Sequence, residues 1–178
     1  MPDNISWIAA DWGTSRLRLW AMSRAGAVLE ARSSDDGMGK LSREAFEPAL
    51  VKLAGDWLGP PVPVIACGMV GARQGWIEAT YRQVPCPPLG PGFTKPDVGT
   101  EGLTVRIVPG LSQARPADVM RGEEVQIAGW LHGNPGWDGL ICLPGSHAKW
   151  AEVSAGEVVS FRTFMTGELF AAISGHTV

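Results

Sequence analysis

The sequence predicts an α/β protein built on a mixed sheet, and three observations predict it. Apolar and polar residues alternate through 7–33 around two short turns, so three strands open the chain as a meander. A helical stripe at Phe46, Leu50, Leu53 and Trp57 then leads into the apolar run Val64–Cys67, the pattern of a crossover onto a parallel strand. Finally, a strand, a Gly-hydroxyl turn and a second strand occur twice, at 11–18 and at 143–150, as an internal repeat of two related lobes would produce.

The totals narrow the class. The chain has 178 residues, 45% of them hydrophobic and 19% charged, which describes a globular protein with a sizeable core. A net charge of -3 and a pI near 5.6 carry no electrostatic footprint for nucleic acid. No apolar run approaches the roughly 20 residues of a membrane span, and no basic-then-apolar leader opens the chain. Cys67, Cys86 and Cys142 are widely spaced and odd in number, which suits a reducing cytoplasm, and no Cys or His spacing suggests zinc.

The elements follow in order. Trp7–Ala10 is the first apolar strand, with Asp11 at its end. Gly13, Thr14 and Ser15 make a turn, and Leu17 and Leu19 alternate with Arg16, Arg18 and Trp20 in the second strand. Gly26 turns the chain into a third strand, 27–33. Asp35-Asp36-Gly37-Met38-Gly39-Lys40 resembles a P-loop only superficially. Ser34 stands where the motif needs Gly, and Leu41 where it needs Ser or Thr, so a loop facing the cleft is expected. Ser42 is the expected cap of the next helix, Pro48 delays its regular part, and Pro60, Pro61 and Pro63 stop it.

After the strand at 64–67 comes Gly68-Met69-Val70-Gly71-Ala72-Arg73-Gln74-Gly75-Trp76. Glycine clusters at the carboxyl end of a parallel strand are where open α/β sheets bind ligands. Met69, Gly71 and Arg73 are therefore candidate ligand contacts; Arg73 suits a carboxylate, or else is a solvated surface side chain. Residues 81–95, rich in Pro and Gly, read as a flap over a cleft. Leu103, Val105 and Ile107 mark a strand ended by Pro109 and Gly110. A helix is expected from near Pro116 to about Leu131, carrying Asp118, Glu123 and Glu124 on its first half. Those carboxylates also suit the helix dipole. His132-Gly133-Asn134-Pro135-Gly136 is the expected boundary, dividing a first lobe (1–136) from the beginning of a second (137–178). Beyond it, 140–143 is a strand, Gly145-Ser146-His147 the second turn, and 151–162 a hairpin across Ala155-Gly156. Thr166 is expected to cap the last helix.

The two turns carry the chemistry. Each would present backbone N–H groups and hydroxyls to an anion, with phosphate the commonest. Gly13 permits close approach. Asp11 would repel bare phosphate, so it implies a hard cation, Mg²⁺, between them. A carboxylate on the acidic helix could accept the proton of a hydroxyl attacking phosphorus.

The stretch from Ala10 to Arg18 resembles the first phosphate motif of the sugar kinase, heat-shock ATPase and actin superfamily. Together with 68–76, Met120-Arg121-Gly122-Glu123-Glu124, Leu143–Trp150 and Met165–Phe170, the chain resembles the 2-dehydro-3-deoxygalactonokinase family. The resemblance implies a ribonuclease-H-like mixed sheet with flanking helices in each lobe, and ATP- and Mg²⁺-dependent phosphorylation of the terminal hydroxyl of a 2-oxo-3-deoxy sugar acid in galactonate breakdown. Carried over, Asp11, Gly13, Thr14, Ser15 and Arg18 match the first phosphate turn and its metal site. Gly145, Ser146 and His147 stand in place of the second, although His147 could equally make a structural hydrogen bond. Gly122-Glu123 occupies the place of a Gly-Asp catalytic base, with Glu124 or Asp118 as alternatives. Arg73 or Arg121 would take the substrate carboxylate. The first lobe would hold substrate and the second nucleotide. Family members complete the second lobe, so this chain is expected to be truncated, with apolar faces left for self-association. The alternative function is a fragment that binds the sugar acid or a partner without turnover.

Overall fold

A computed structural model describes residues 5–59 and 62–175; Pro60 and Pro61, expected to stop a helix, lie outside them. In chain order the elements are β1 (Trp7–Trp12), β2 (Leu17–Met22), β3 (Val28–Ser34), α1 (Phe46–Ala54), β4 (Pro63–Gly68), β5 (Tyr81–Gln83), β6 (Thr104–Ile107), β7 (Gly110–Ala114), β8 (Ala117–Met120), α2 (Glu123–Gly133), β9 (Gly139–Leu143), β10 (Ala148–Ser154), β11 (Glu157–Phe164) and α3 (Thr166–Ser174). The chain divides into two compact units, Met1–Thr80 with Pro91–Pro109 and Tyr81–Gly90 with Gly110–Val178. The fold is mixed α/β, with mixed sheets and flanking helices.

The first unit holds a five-stranded sheet in the order β3-β2-β1-β4-β6. β1, β2 and β3 pair antiparallel, as the opening alternation predicts, and β4 and β6 then add parallel to β1. Ile8, Ala10 and Trp12 point to one face, where Leu17, Leu19, Val64 and Ala66 join them under Phe46, Leu50 and Trp57. A 3-10 turn, Arg43–Ala45, precedes α1, and Ser42 makes no side-chain cap, so the helix begins at Phe46 with Pro48 tolerated in its first turn.

Arg32 closes the far end of α1. Its Nη1 donates to Ala54 O at 2.8 Å and Leu53 O at 3.4 Å, Nη2 pairs with Asp56 at 2.9 Å, Nε pairs with Glu30 at 2.9 Å, and the guanidinium lies 4.1 Å from the Trp57 ring centroid. Only a planar fork can serve these partners together. Arg32→Lys is expected to cost about 1–2 kcal/mol in denaturant unfolding; an unchanged midpoint would mean the cluster contributes nothing beyond solvated pairs.

The second unit holds two three-stranded sheets, β5-β7-β8 and β11-β10-β9. Three expectations change here. Residues 110–120 are a hairpin, not the end of one strand and the start of a helix. Gln113 fixes it: its Nε2 donates to Pro116 O and Phe161 O, and its Oε1 accepts from Phe161 N–H. Gly122, at φ +108°, then starts α2 only at Glu123. The segment 81–95 is stitched into sheet structure instead of forming a flap. Tyr81–Gln83 pairs parallel with β7, Cys86 bridges Val158 in the second unit, and Thr94 bridges Ile107 in the first. The residues around Gly136 lie inside the second unit, because Ile127, Leu131 and Trp137 share one core with Ala151, Val153 and Phe161.

The hairpin across Ala155-Gly156 is as predicted, both residues having the positive φ of a primed turn. Thr166 is the first residue of α3 and caps nothing; the helix start is tied instead by Glu168 N–H to Ser146 O at 3.1 Å. Leu169 and Phe170 on α3 are exposed, as is Leu140 on β9, so exposed apolar side chains stand where they are expected. No described helix is long and apolar enough to cross a membrane.

Candidate functional site

In the first unit the parallel pairing of β1 with β4 decides what meets. Asp11 lies opposite Cys67 and Trp12 opposite Gly68, so the Gly13–Ser15 turn and the 69–76 turn leave the same end of the sheet side by side. Gly68, at φ +88°, is required there: a Cβ would lie 2.8 Å from Trp12 O and 3.4 Å from Asp11 Oδ1. Asp11 Oδ2 pairs with Arg18 Nη2 at 3.0 Å across the β1–β2 ladder. Arg18 thus aims the carboxylate. Gly13 N–H closes the turn on Arg16 O at 2.9 Å, leaving Thr14 and Ser15 exposed.

The loop at 35–40 packs on this turn. Met38 N–H donates to Gly13 O at 3.0 Å, Gly39 N–H to Thr14 O at 2.9 Å, and Trp12 Nε1 to Asp36 O at 2.8 Å. The glycines of the discarded P-loop pattern therefore do have a job, which is to let one loop lie against another. Beneath, Trp12, Phe46 and Trp76 form one aromatic cluster, with centroids 5.0 to 6.3 Å apart. It joins the end of β1, the start of α1 and the end of the 69–76 turn. Met69 is half-buried, Gly71 buried and Arg73 exposed.

Among the described residues no group of three or more His, Cys, Asp or Glu could hold a metal ion. A cation at the turn would draw on Asp11 alone, which fits Mg²⁺, an ion that takes one carboxylate and completes its shell with waters and phosphate oxygens.

The other predicted site residues belong to the second unit. Asp118 is pinned: Thr163 Oγ1 lies 2.7 and 2.8 Å from its two oxygens and Lys149 Nζ 3.7 Å from one of them. Lys149 also donates to Val119 O, so it braces β10 against β8. Sequence offered no sign of this triad, whose members lie up to 45 residues apart. At the start of α2, Glu123 Oε2 accepts from Arg121 N–H at 3.0 Å and Glu124 Oε2 from Gly122 N–H at 2.7 Å. Both carboxylates thus bond backbone donors at the positive end of the helix. They differ in burial. Glu123 is half-buried, whereas Glu124 is fully buried, its Oε1 lacks a hydrogen-bond partner among the described residues, and burial pushes its pKa up to about 7. The Arg121 guanidinium is stacked 4.3 Å from the Tyr81 ring centroid. In the second turn Gly145 and Ser146 are exposed, and His147 Nε2 lies 2.7 Å from Glu168 Oε2. A Cβ on Gly167 would lie 2.4 Å from Gly145 O, so α3 begins directly against this turn.

Comparison with known proteins fits this inventory. The sequence model of the family described as 2-keto-3-deoxy-galactonokinase matches residues 11–178. A Rhizobium meliloti (strain 1021) protein named "Probable 2-dehydro-3-deoxygalactonokinase DgoK1" is 43% identical over 176 residues, 96% of this chain and 56% of its own length. The 2-dehydro-3-deoxygalactonokinase of Escherichia coli (strain K12) is 35% identical over 174 residues, 97% of this chain and 58% of its own. A crystal structure of a candidate 2-dehydro-3-deoxygalactonokinase from Sinorhizobium meliloti superposes with a TM-score of 0.82 at 40% identity, covering 97% of this chain and 57% of that one. The chain thus spans little more than half the length of the relatives it matches.

Proposed function

The chain belongs to the 2-keto-3-deoxy-galactonokinase family, and from that premise we propose that it carries the sugar-acid site and the phosphate turns of a cytoplasmic kinase. The reaction is ATP-dependent phosphorylation of the terminal hydroxyl of 2-dehydro-3-deoxy-galactonate. The observation that carries the reading is Asp11, aimed by Arg18 at the end of β1 between an exposed hydroxyl turn and the 69–76 turn. The sheet order, an antiparallel meander continued by parallel strands, supports a ribonuclease-H-like first lobe. An odd number of cysteines supports the cytoplasmic setting.

In this reading the backbone N–H groups and hydroxyls of Thr14 and Ser15 hold phosphate at the first turn, where Gly13 permits close approach, and Gly145, Ser146 and His147 are the proposed phosphate contacts of the second unit. Asp11 would hold Mg²⁺, which when bound offsets phosphate charge. Met69, Gly71 and Arg73 contact the sugar acid, Arg73 or Arg121 taking its carboxylate. Glu123 is the proposed base. Asp118 is occupied by Thr163 and Lys149, and Glu124 is buried, while Glu123 keeps Oε1 outside the capping bond. As the terminal oxygen attacks the γ-phosphorus of ATP, its proton passes to that carboxylate, the bond from phosphorus to the bridging oxygen breaks, and ADP leaves.

Isothermal calorimetry tests the assignment. Asp11→Asn is expected to weaken ATP–Mg²⁺ binding at least tenfold, about 1.4 kcal/mol, and to leave sugar-acid binding unchanged. Equal nucleotide affinity in the two proteins would remove Asp11 from the metal site. A second reading, a fragment that binds the sugar acid without turnover, is favoured by the share of the relatives that the chain spans. It predicts sugar-acid heat and no nucleotide heat from the unsubstituted chain.

A further inference from the structure

We propose that Arg43 is a positioning residue for Arg73, fixing the turn from which Arg73 reaches the sugar-acid carboxylate. The inference rests on the ligand role assigned above to Arg73. The turn's internal bonds use only its early carbonyls: Ala72 N–H donates to Met69 O, Trp76 N–H to Val70 O, Ala79 N–H to Gly71 O and Gly75 N–H to Ala72 O, all at 2.8 to 3.0 Å. The carbonyls of Arg73 and Gly75 are served from outside. Arg43 Nη2 donates to Arg73 O at 2.9 Å, and Arg43 Nε to Gly75 O at 3.3 Å. One guanidinium therefore brackets residue 74 and sets the backbone direction at Arg73, whose own side chain makes no ion pair among the described residues.

Arg43 is itself well placed to act as a fixed point. It stands in the 3-10 turn before α1, three residues ahead of Phe46, and Phe46 is fully buried and stacked on Trp76, the residue after Gly75. Both ends of the bracket thus rest on the same aromatic pair. A Cβ on Gly75 would lie 2.3 Å from Val70 O, so main chain packs on main chain at that end of the turn, while none of the turn's internal bonds uses the carbonyl of Arg73. That is the part Arg43 holds. Lysine cannot replace it, since a single ammonium point does not span two carbonyls as a planar fork does.

The test measures 2-dehydro-3-deoxy-galactonate binding by calorimetry in the unsubstituted chain, Arg43→Ala, Arg43→Lys, Arg73→Lys and the Arg43→Ala/Arg73→Lys double variant, with hydrogen exchange across 72–79. Arg43→Ala is expected to weaken binding about tenfold and to speed exchange in that segment alone. Arg43→Lys is expected to recover little of the loss. In the Arg73→Lys background the same change is expected to cost no more than about twofold, because there is no longer a planar side chain to orient. Undiminished affinity in Arg43→Ala, full recovery by lysine, or an equal loss in both backgrounds overturns the proposal. An unsubstituted chain that binds no sugar acid overturns the role of Arg73 and this one with it. A chain that binds, beside an Arg43→Ala variant that binds as well, overturns this one alone.

Discussion

Gly37→Ala is expected to destabilise the first unit by about 3 kcal/mol, seen as a fall of about 10 °C in melting temperature. The backbone of Gly37, at φ -72° and ψ 162°, is open to any residue, so the cost is purely steric. A Cβ would lie 2.2 Å from Ser15 C and 2.4 Å from both Arg16 N and Thr14 O, all of them main-chain atoms of the turn that follows β1. The loop must lift, and three hydrogen bonds go with it: Met38 to Gly13, Gly39 to Thr14, and the indole of Trp12 to Asp36 O. The last is the most costly, because Trp12 is fully buried and its N–H would be left without an acceptor. Gly39→Ala is the graded control. Its Cβ would stand 3.2 Å from Thr14 O, a contact that small shifts relieve, and a loss under about 1 kcal/mol is expected. Equal melting temperatures for Gly37→Ala and the unsubstituted chain would show that the loop does not rest on the turn.

Glu124→Gln is expected to stabilise the chain by about 3 kcal/mol at pH 8 and to leave it unchanged below pH 4. Burial is the main cause of the raised pKa; the backbone donors and Arg121 oppose it, and the neighbouring Glu123 charge adds to it. The sign follows from proton counting. With a folded pKa near 7 against an ordinary 4.5, the folded chain keeps a proton between those values that the unfolded chain has lost. Stability from this residue therefore falls as pH rises from about 4.5 to about 7 and is level above that. Glutamine keeps the bond from Gly122 N–H through its carbonyl and never ionises. The difference in unfolding free energy between the two proteins, measured from pH 4 to 8, should trace that single titration. A flat difference would mean that Glu124 is not buried as a carboxylic acid.

How much of this was legible from residues alone varies by element. The β1–β2–β3 meander and the crossover to β4 could be read directly, because a period of two and a helical stripe are local properties of the chain. The hairpin of β7 and β8 could not. Pro116 followed by apolar and acidic residues has the pattern of a helix start, and what decides against it is Gln113 bonding to Phe161, 48 residues away. The site shows the same division. Asp11, the Gly-hydroxyl turns and the Arg73 turn are visible as residue types in order. Glu123 and Glu124 are adjacent and alike in sequence, and only the packing of α2 makes one a buried acid and leaves the other half-exposed.

By itself, then, the sequence determined which strands open the chain, which turns carry glycine and hydroxyls, and the family, since each depends on neighbouring residues or on motif spacing. Tertiary structure alone decided that Arg43 serves the carbonyls of Arg73 and Gly75, that Thr163 and Lys149 occupy Asp118, and that Gly37 lies against Ser15. These are meetings of groups distant along the chain. The partners in two of them are main-chain atoms, which every residue carries and no residue type announces.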